Sequence, residues 1–443
     1  MIGSLAVGSL AATAEAPLFK KLDPATTGID FVNQGAPQRT NEKGELIFFS
    51  TISGKDTAGG VTLGDVDGDG RADIFLTRSQ GGNRLYRNLG DFRFADITEQ
   101  AGVGGEGMWS MGCSFVDIDN DSDLDLYVCG YDTPNRLYIN DGKGHFEDRA
   151  REFGLDFKGS SVMMAFADYD LDGDLDGYLL TNSLKRFDDG VRVKVTADPK
   201  TGQVIIPEEL REVVGGFYFP GAGIKTFPTG QADRLFRNEG GRFRDVTAAS
   251  GITGYEMGLS AVWWDYNQDG RPDLYVANDF YGQDHLYKNN GPAGPAGQIT
   301  FTDVIGSSMP HTPWYSMGSD TGDLNNDGLP DFMASDMAGS THYKDKIGMG
   351  DMEEEGWFLT YPTPRQYMRN AVYLTSGGER FFEIAHQAGL AATDWTWSIL
   401  FGDLDNDGWL DVYATNGMTR DLFNSDLKEA EAAIMKRRDW NAA

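Results

Sequence analysis

Residues 64–76 read GDVDGDGRADIFL, with aspartates at 65, 67, 69 and 73 and a glycine at 70. The pattern returns five times: DIDNDSDLD from Asp117, DYDLDGDLD from Asp168, DYNQDGRPD from Asp265, DLNNDGLPD from Asp323 and DLDNDGWLD from Asp403. Successive starts lie 52, 51, 97, 58 and 80 residues apart. A recurring period near 50 is the mark of a repeat architecture. One acidic turn would mean little, because Asp and Gly favour turns anyway. Six copies with Asp at positions 1, 5 and 9 every time are not explained by turn preference.

Two further motifs follow the acidic loop. The first reads NRLYRN at 83–88, NRLYIN at 135–140, DRLFRN at 233–238, DHLYKN at 284–289 and NAVYLT at 370–375. The second reads FADITEQAGV at 94–103, FEDRAREFGL at 146–155, FRDVTAASGI at 243–252 and FFEIAHQAGL at 381–390, with a degenerate FTDVIG from Phe301. Short apolar runs also flank each acidic loop, such as VTL at 61–63 and IFL at 74–76. Each unit thus holds four short stretches rich in β-branched and aromatic residues, which suits four strands. Four antiparallel strands in about 50 residues is the make-up of a β-propeller blade. The expected fold class is all-β: a β-propeller of four-stranded blades, six recognisable and seven in the full-length protein, with a short C-terminal helix.

The long intervals place two insertions between the second and third strands of a unit, at about 184–231 and 337–369. The propeller is expected over 17–420. Phe19 with Gly28-Ile29 reads as a degenerate F-x-D strand ahead of the first loop, of the kind that completes a last blade. Residues 421–443 read as a helical segment from about Ser425. No LY or F-x-D motif follows Asp411, so the chain reads as a fragment of a longer protein or as one with an unusual last blade. Residues 1–16 resemble the remnant of a signal peptide. They hold a small-apolar stretch at 2–12 and an Ala14-Glu15-Ala16 cleavage pattern, but no basic start.

The chemistry of the acidic loop is that of a hard cation. Calcium takes six to eight oxygens in a flexible shell. Carboxylates at positions 1, 3, 5 and 9 of a tight loop can converge on one point, with a backbone carbonyl at position 7. The expected ligands are Asp65, Asp67, Asp69 and Asp73; Asp117, Asp119, Asp121 and Asp125; and Asp168, Asp170, Asp172 and Asp176. The remaining three loops supply Asp265, Asn267, Asp269 and Asp273; Asp323, Asn325, Asp327 and Asp331; and Asp403, Asp405, Asp407 and Asp411. An EF-hand draws a Glu at position 12 from a helix, but here position 12 is Leu76 and belongs to a returning strand. Position 9 takes over that role. Up to six Ca2+ ions are expected. Magnesium demands a stricter octahedron, and the loops lack the His and Cys of a zinc site. Loops 4 and 5, with Asn at position 3, are expected to bind more weakly. Ser122 replaces the position-6 glycine in loop 2, so strain is expected there.

The net charge of −30 argues against nucleic acid as a partner, and no run is long and apolar enough to span a membrane. Two cysteines, Cys113 and Cys129, lie symmetrically about loop 2. A cross-strand disulfide and two buried free thiols are both open, and the expectation of export favours the disulfide.

The loops and their following strands resemble the FG-GAP/VCBS repeats of integrin-α-type propellers. The likeness is greater to the cartilage acidic protein (ASPIC/UnbV) family, carried by AGLAATDWTWSILFGDLDNDGWLDVYATNG at 388–417. That resemblance implies an exported, calcium-stabilised propeller, secreted, periplasmic or at the cell surface, associated with adhesion or extracellular interaction. It also implies seven blades and a further C-terminal domain, neither of which is recognisable here.

The sequence therefore reads as a protein-interaction or adhesion module with structural calcium loops. A lectin-like glycan binder is the alternative, and a polysaccharide lyase or hydrolase a weaker one. Only five His occur, and no G-x-S-x-G or H-E-x-x-H motif is present. The partner is expected to be an extracellular protein or glycan. The face opposite the acidic loops receives both insertions and gathers Trp109, Tyr131, Asp279, Phe280, Tyr281, Trp314, Asp336 and Trp395. As exposed groups these would suit such contact; the competing reading is that the aromatics pack between blades.

Overall fold

The computed structural model describes residues 19–33, 59–79, 81–184, 195–198, 204–219, 223–279, 282–293, 297–348 and 364–417. The expected leader (1–16) and C-terminal helical segment (421–443) lie outside these residues.

The chain is all-β, as expected, and its strands form successive antiparallel meanders. Blade 1 contains β1 (Val61–Gly64), β2 (Asp73–Leu76), β3 (Arg84–Asn88) and β4 (Phe94–Asp96) in that order. Blade 2 contains β5 (Ser110–Val116), β6 (Asp125–Pro134), β7 (Arg136–Asn140) and β8 (Phe146–Asp148). Blade 3 begins with β9 (Lys158–Ala167) and β10 (Asp176–Thr181). Two small hairpins follow, β11 (Thr196–Ala197) with β12 (Val204–Ile205) and β13 (Val214–Phe219) with β14 (Gly223–Pro228). The blade then resumes with β15 (Arg234–Asn238) and β16 (Phe243–Asp245).

Blade 4 is β17 (Met257–Trp264), β18 (Asp273–Asp279), β19 (His285–Ala293) and β20 (Gln298–Asp303). A short β21 (His311–Pro313) precedes blade 5, whose strands are β22 (Ser319–Gly322), β23 (Asp331–Ala334), β25 (Ala371–Thr375) and β26 (Phe381–Glu383). Between its second and third strands, β24 (Arg365–Tyr367) pairs in parallel with β21. Blade 6 shows β27 (Thr396–Gly402) and β28 (Asp411–Asn416).

The packing has one cluster per blade junction. Phe75 and Leu85 of blade 1 meet Leu126, Val128 and Tyr138 of blade 2. Tyr127 and Leu137 meet Met164 and Leu179 of blade 3, and equivalent clusters join blades 3 to 4, 4 to 5 and 5 to 6. The first strands of successive blades touch one another, so they form the inner rim. The residue two beyond the position-9 aspartate faces the next blade. It is Phe75, Tyr127, Tyr178, Tyr275 or Met333, each wholly buried, while its counterpart Tyr413 in blade 6 is 50% exposed. On the opposite flank, Val61 and Leu63 of β1 are 61% and 62% exposed.

A one-turn helix follows the fourth strand, as at Thr98–Ala101, and ends on a glycine with positive φ, Gly102, Gly154 and Gly251 among them. A Cβ on Gly154 or Gly251 would lie 2.8 Å from the carbonyl oxygen of Phe243 or Phe301, too close to fit, and one on Gly102 would lie 3.3 Å from that of Phe146, in each case a residue of the next blade's fourth strand. Helix Pro24–Thr27 ends on Gly28 in the same conformation, and Gly28 presses on the Phe94 carbonyl. Residues 24–28 thus occupy, on blade 1, the place that a preceding blade's outer end occupies elsewhere.

The disulfide expectation is corrected: Cys113 and Cys129 are free thiols. The hairpin register, in which Val116 faces Asp125, sets Cys113 opposite Val128. Adjacent strand residues point to opposite faces, so Cys113 packs in the blade 1–2 cluster and Cys129 in the blade 2–3 cluster. Among the described residues, no helix is long and apolar enough to cross a membrane.

Candidate metal centre

Each acidic loop links the first and second strands of its blade, with position 9 as the first residue of the second strand. The local fold follows from aspartates capping backbone amides. In all six loops the position-1 carboxylate accepts the N–H groups of positions 5 and 6; in loop 1, Asp69 and Gly70 donate to Asp65 at 3.0 and 2.7 Å. In all six, position 5 accepts the N–H of position 7.

Position 9 is buried and tied to the third strand. Its Oδ1 accepts the N–H of Asn88, Asn140, Asn238, Asn289 or Thr375 in loops 1 to 5. Asp73, Asp125, Asp176, Asp273 and Asp331 are wholly inaccessible, whereas Asp411 of loop 6 is exposed.

The carboxylates at positions 1, 3 and 9 converge. In loops 1, 2, 3 and 6 one oxygen from each lies within 4.8 Å of the other two: Asp65, Asp67 and Asp73; Asp117, Asp119 and Asp125; Asp168, Asp170 and Asp176; Asp403, Asp405 and Asp411. Loops 4 and 5 place Asn267 and Asn325 at position 3, and their Oδ1 atoms accept the N–H of Asp269 and Asp327 at 3.0 Å. The position-5 residues Asp69, Asp121, Asp172, Asp269, Asp327 and Asp407 stand outside the groups of three and serve the loop's backbone.

Bare of a cation, these clusters hold poorly compensated carboxylates. Asp67 Oδ1, Asp170 Oδ1, Asp176 Oδ2 and Asp273 Oδ2 are buried without a hydrogen bond of normal length. Burial, partly offset by amide hydrogen bonds, pushes Asp125 and Asp273 up to about 7 and Asp176 to about 8, with neighbouring carboxylates adding to the rise. Asp73, Asp119, Asp170 and Asp331 are raised for the same leading reason. A hard cation would remove both penalties, so the donor set fits calcium.

Some supporting residues were not singled out from the sequence. The asparagine closing the LY motif braces loops from the neighbouring blade: Asn140 Nδ2 donates to Val66 O at 2.9 Å, and Asn289 Nδ2 to Tyr169 O at 2.8 Å. The residue opening that motif accepts an amide from the end of the second strand or the segment after it, as Asn135 does from Gly130 and Asp284 from Asn278. Both positions are visible in the repeats, but their partners appear only in the fold.

Of the two readings of the aromatics on the opposite face, burial holds for most of those described. Trp109, Tyr131 and Trp314 are buried, as is Asp336, whose carboxylate accepts the N–H groups of Trp314, Tyr315 and Met337. Trp109 packs on Tyr131 with ring centroids 5.6 Å apart. Trp395 and Asp279 are half-buried, and Phe280 and Tyr281 lie outside the described residues.

The profile of the FG-GAP-like repeat matches residues 65–128, 117–179, 265–334 and 359–414, more than half of the chain. Cartilage acidic protein 1 of Homo sapiens is 32% identical over 121 residues, 26% of this chain and 18% of that protein. The Xenopus tropicalis protein of the same name is 30% identical over the same shares. The aligned stretch spans less than a fifth of those relatives. Among solved structures, the V. cholerae biofilm matrix protein Bap1 aligns at 16% identity and TM-score 0.31, over 65% of this chain and 36% of that one. An Agrocybe aegerita lectin recognising non-reducing terminal N-acetylglucosamine aligns at 14% and 0.32, over 81% and 86%. At this level of superposition neither informs the site.

Proposed function

The chain belongs to the FG-GAP-like repeat family, and from that premise we propose that it is a calcium-holding β-propeller that acts outside the cell as an interaction module. The observation that carries the calcium reading is the set of buried carboxylate oxygens with no hydrogen-bonded partner, repeated at equivalent loop positions. When bound, calcium supplies positive charge and oxygen coordination; the chain's own residues supply the frame. Positions 1 and 5 shape the loop through its amides, position 3 faces the cluster, and position 9 fastens it to the third strand. The ions are structural in this reading, because in loops 1 to 5 position 9 is buried at a strand start rather than open to a substrate.

The same features favour a binding module over an enzyme: the conspicuous carboxylates are committed to backbone amides. The partner is a protein or glycan of the extracellular space. Export is supported by the small-apolar start of the sequence at 2–12, and extracellular modules hold calcium with dissociation constants of about 10⁻⁴–10⁻³ M.

The test is thermal unfolding of the full chain in calcium and in excess chelator. A site held at about 100 times its dissociation constant adds about 2.7 kcal/mol to native stability. Several such sites should lower the melting temperature clearly on chelation. An unchanged melting curve would overturn the structural-calcium reading. Retention of the chain by extracellular proteins or a glycan array, compared with and without calcium, tests the module reading.

A further inference from the structure

The six loops differ in how much positive charge the chain already places against them. In loop 3, Arg237 Nε lies 2.9 Å from Asp170 Oδ2, and its Nη2 lies 3.9 Å from Asp172. In loop 1, Arg87 approaches Asp67 at 3.7 Å and Arg71 pairs with Asp69. In loop 4, Arg271 pairs with Asp269 at 2.5 Å. Among the described residues, no ion pair reaches a carboxylate of loops 2, 5 or 6.

Loops 2 and 3 form a natural contrast. Both carry aspartates at positions 1, 3, 5, 7 and 9. They differ at the fifth residue of the LY motif, which is Ile139 beside loop 2 and Arg237 beside loop 3. Ile139 packs against the blade 2–3 core, while the equivalent Arg237 turns its guanidinium onto the loop. Asp123, at position 7 of loop 2, adds a carboxylate whose Oδ1 is buried without a partner.

Resting on the calcium reading above, we propose that these arginines are resident counter-charges that rank the sites. Loop 2 takes its ion more tightly than loops 1 and 3, whose arginines face the position-3 carboxylates Asp67 and Asp170, and those two loops hold theirs weakly enough to exchange. The physical reason is direct. A guanidinium beside a ligand carboxylate already satisfies part of its charge, repels an incoming divalent ion, and has to share or surrender an oxygen. Ligand charge is a main lever on calcium affinity.

The experiment is calcium titration of the full-length chain by calorimetry, with the number of bound ions at each free calcium level counted by native mass spectrometry. The wild-type chain should show at least one tight ion and a weaker group. Arg237→Gln should move one ion from the weaker group towards the tight class, by roughly tenfold in dissociation constant. Arg237→Lys, which keeps the charge, should leave the wild-type distribution. Asp123→Asn should weaken the tight step. A single affinity class in the wild type, or an Arg237→Gln chain that binds no tighter, would overturn the ranking while leaving the calcium reading intact. Ion binding by none of these chains would overturn both.

Discussion

At the residue scale the loops depend on backbone conformations that most side chains resist. Position 6 has positive φ in every copy. Five copies use glycine, Gly70, Gly173, Gly270, Gly328 and Gly408, but loop 2 holds Ser122 at φ 78°. A non-glycine residue there costs roughly 1–2 kcal/mol. Ser122→Gly is therefore expected to stabilise the chain by about 1 kcal/mol, read as a higher midpoint in chemical denaturation. This strain was legible in the sequence, since the odd residue stands out against five glycines. The candidate ligand residues could be listed from the sequence in the same way, but the division of labour among them could not. Position 5 looks like a ligand in a one-dimensional motif, yet its carboxylate is committed to the amide two residues on. The cysteine pair shows the opposite failure. Counting from the loop centre places Cys113 and Cys129 face to face, but the hairpin pairs Val116 rather than Asp117 with Asp125, which sets Cys113 opposite Val128.

At the scale of elements, each complete blade fastens its third strand to its fourth with one ion pair. The pairs are Arg84–Asp96 at 3.3 Å, Arg136–Asp148 and Arg234–Asp245 at 2.5 Å, and Arg369–Glu383 at 3.0 Å. In blade 4 a histidine takes the arginine's place, with His285 Nδ1 2.8 Å from Asp303 and Nε2 3.6 Å from Glu256. Burial alone would lower the imidazole, but the two carboxylates outweigh it and push it up to about 10. The folded chain thus holds that proton to higher pH than the unfolded chain, whose histidine titrates near 6.5. The stabilisation is complete below about 6.5 and is lost as pH rises towards 10. His285→Arg should keep blade 4 stable across that window, and His285→Gln should lack the stabilisation even at pH 6. Melting temperatures measured from pH 6 to 10 distinguish these outcomes. The LY and F-x-D motifs announced the strands through their apolar pairs. They did not announce the ion pair in blade 5, because NAVYLT lacks the basic residue and Arg369 supplies it from just ahead of the strand.

At the scale of the molecule, the blades are held mainly by what lies between them. Blades 2 to 5 are packed on both flanks, whereas blade 1 exposes Val61 and Leu63, and blade 6 exposes Leu400 and Tyr413. Regions with fewer buried apolar contacts open at lower free energy. Amide exchange should therefore be faster in β27 and β28 than in β9 and β10, and hydrogen–deuterium exchange followed by peptide mapping checks this. The repeat count and blade make-up could be read from spacing alone. The flank each apolar side chain serves could not, because period 2 says which residues share a face but not which neighbour that face meets. The two separated thiols bear on the molecule's history as well as its packing. Cys113 is pushed up to about 12 by burial, and Cys129 is likewise raised well above the ordinary thiol range. With no covalent staple to close, assembly of blades 1 to 3 calls for no oxidant and no isomerase, and reducing agents have nothing to undo.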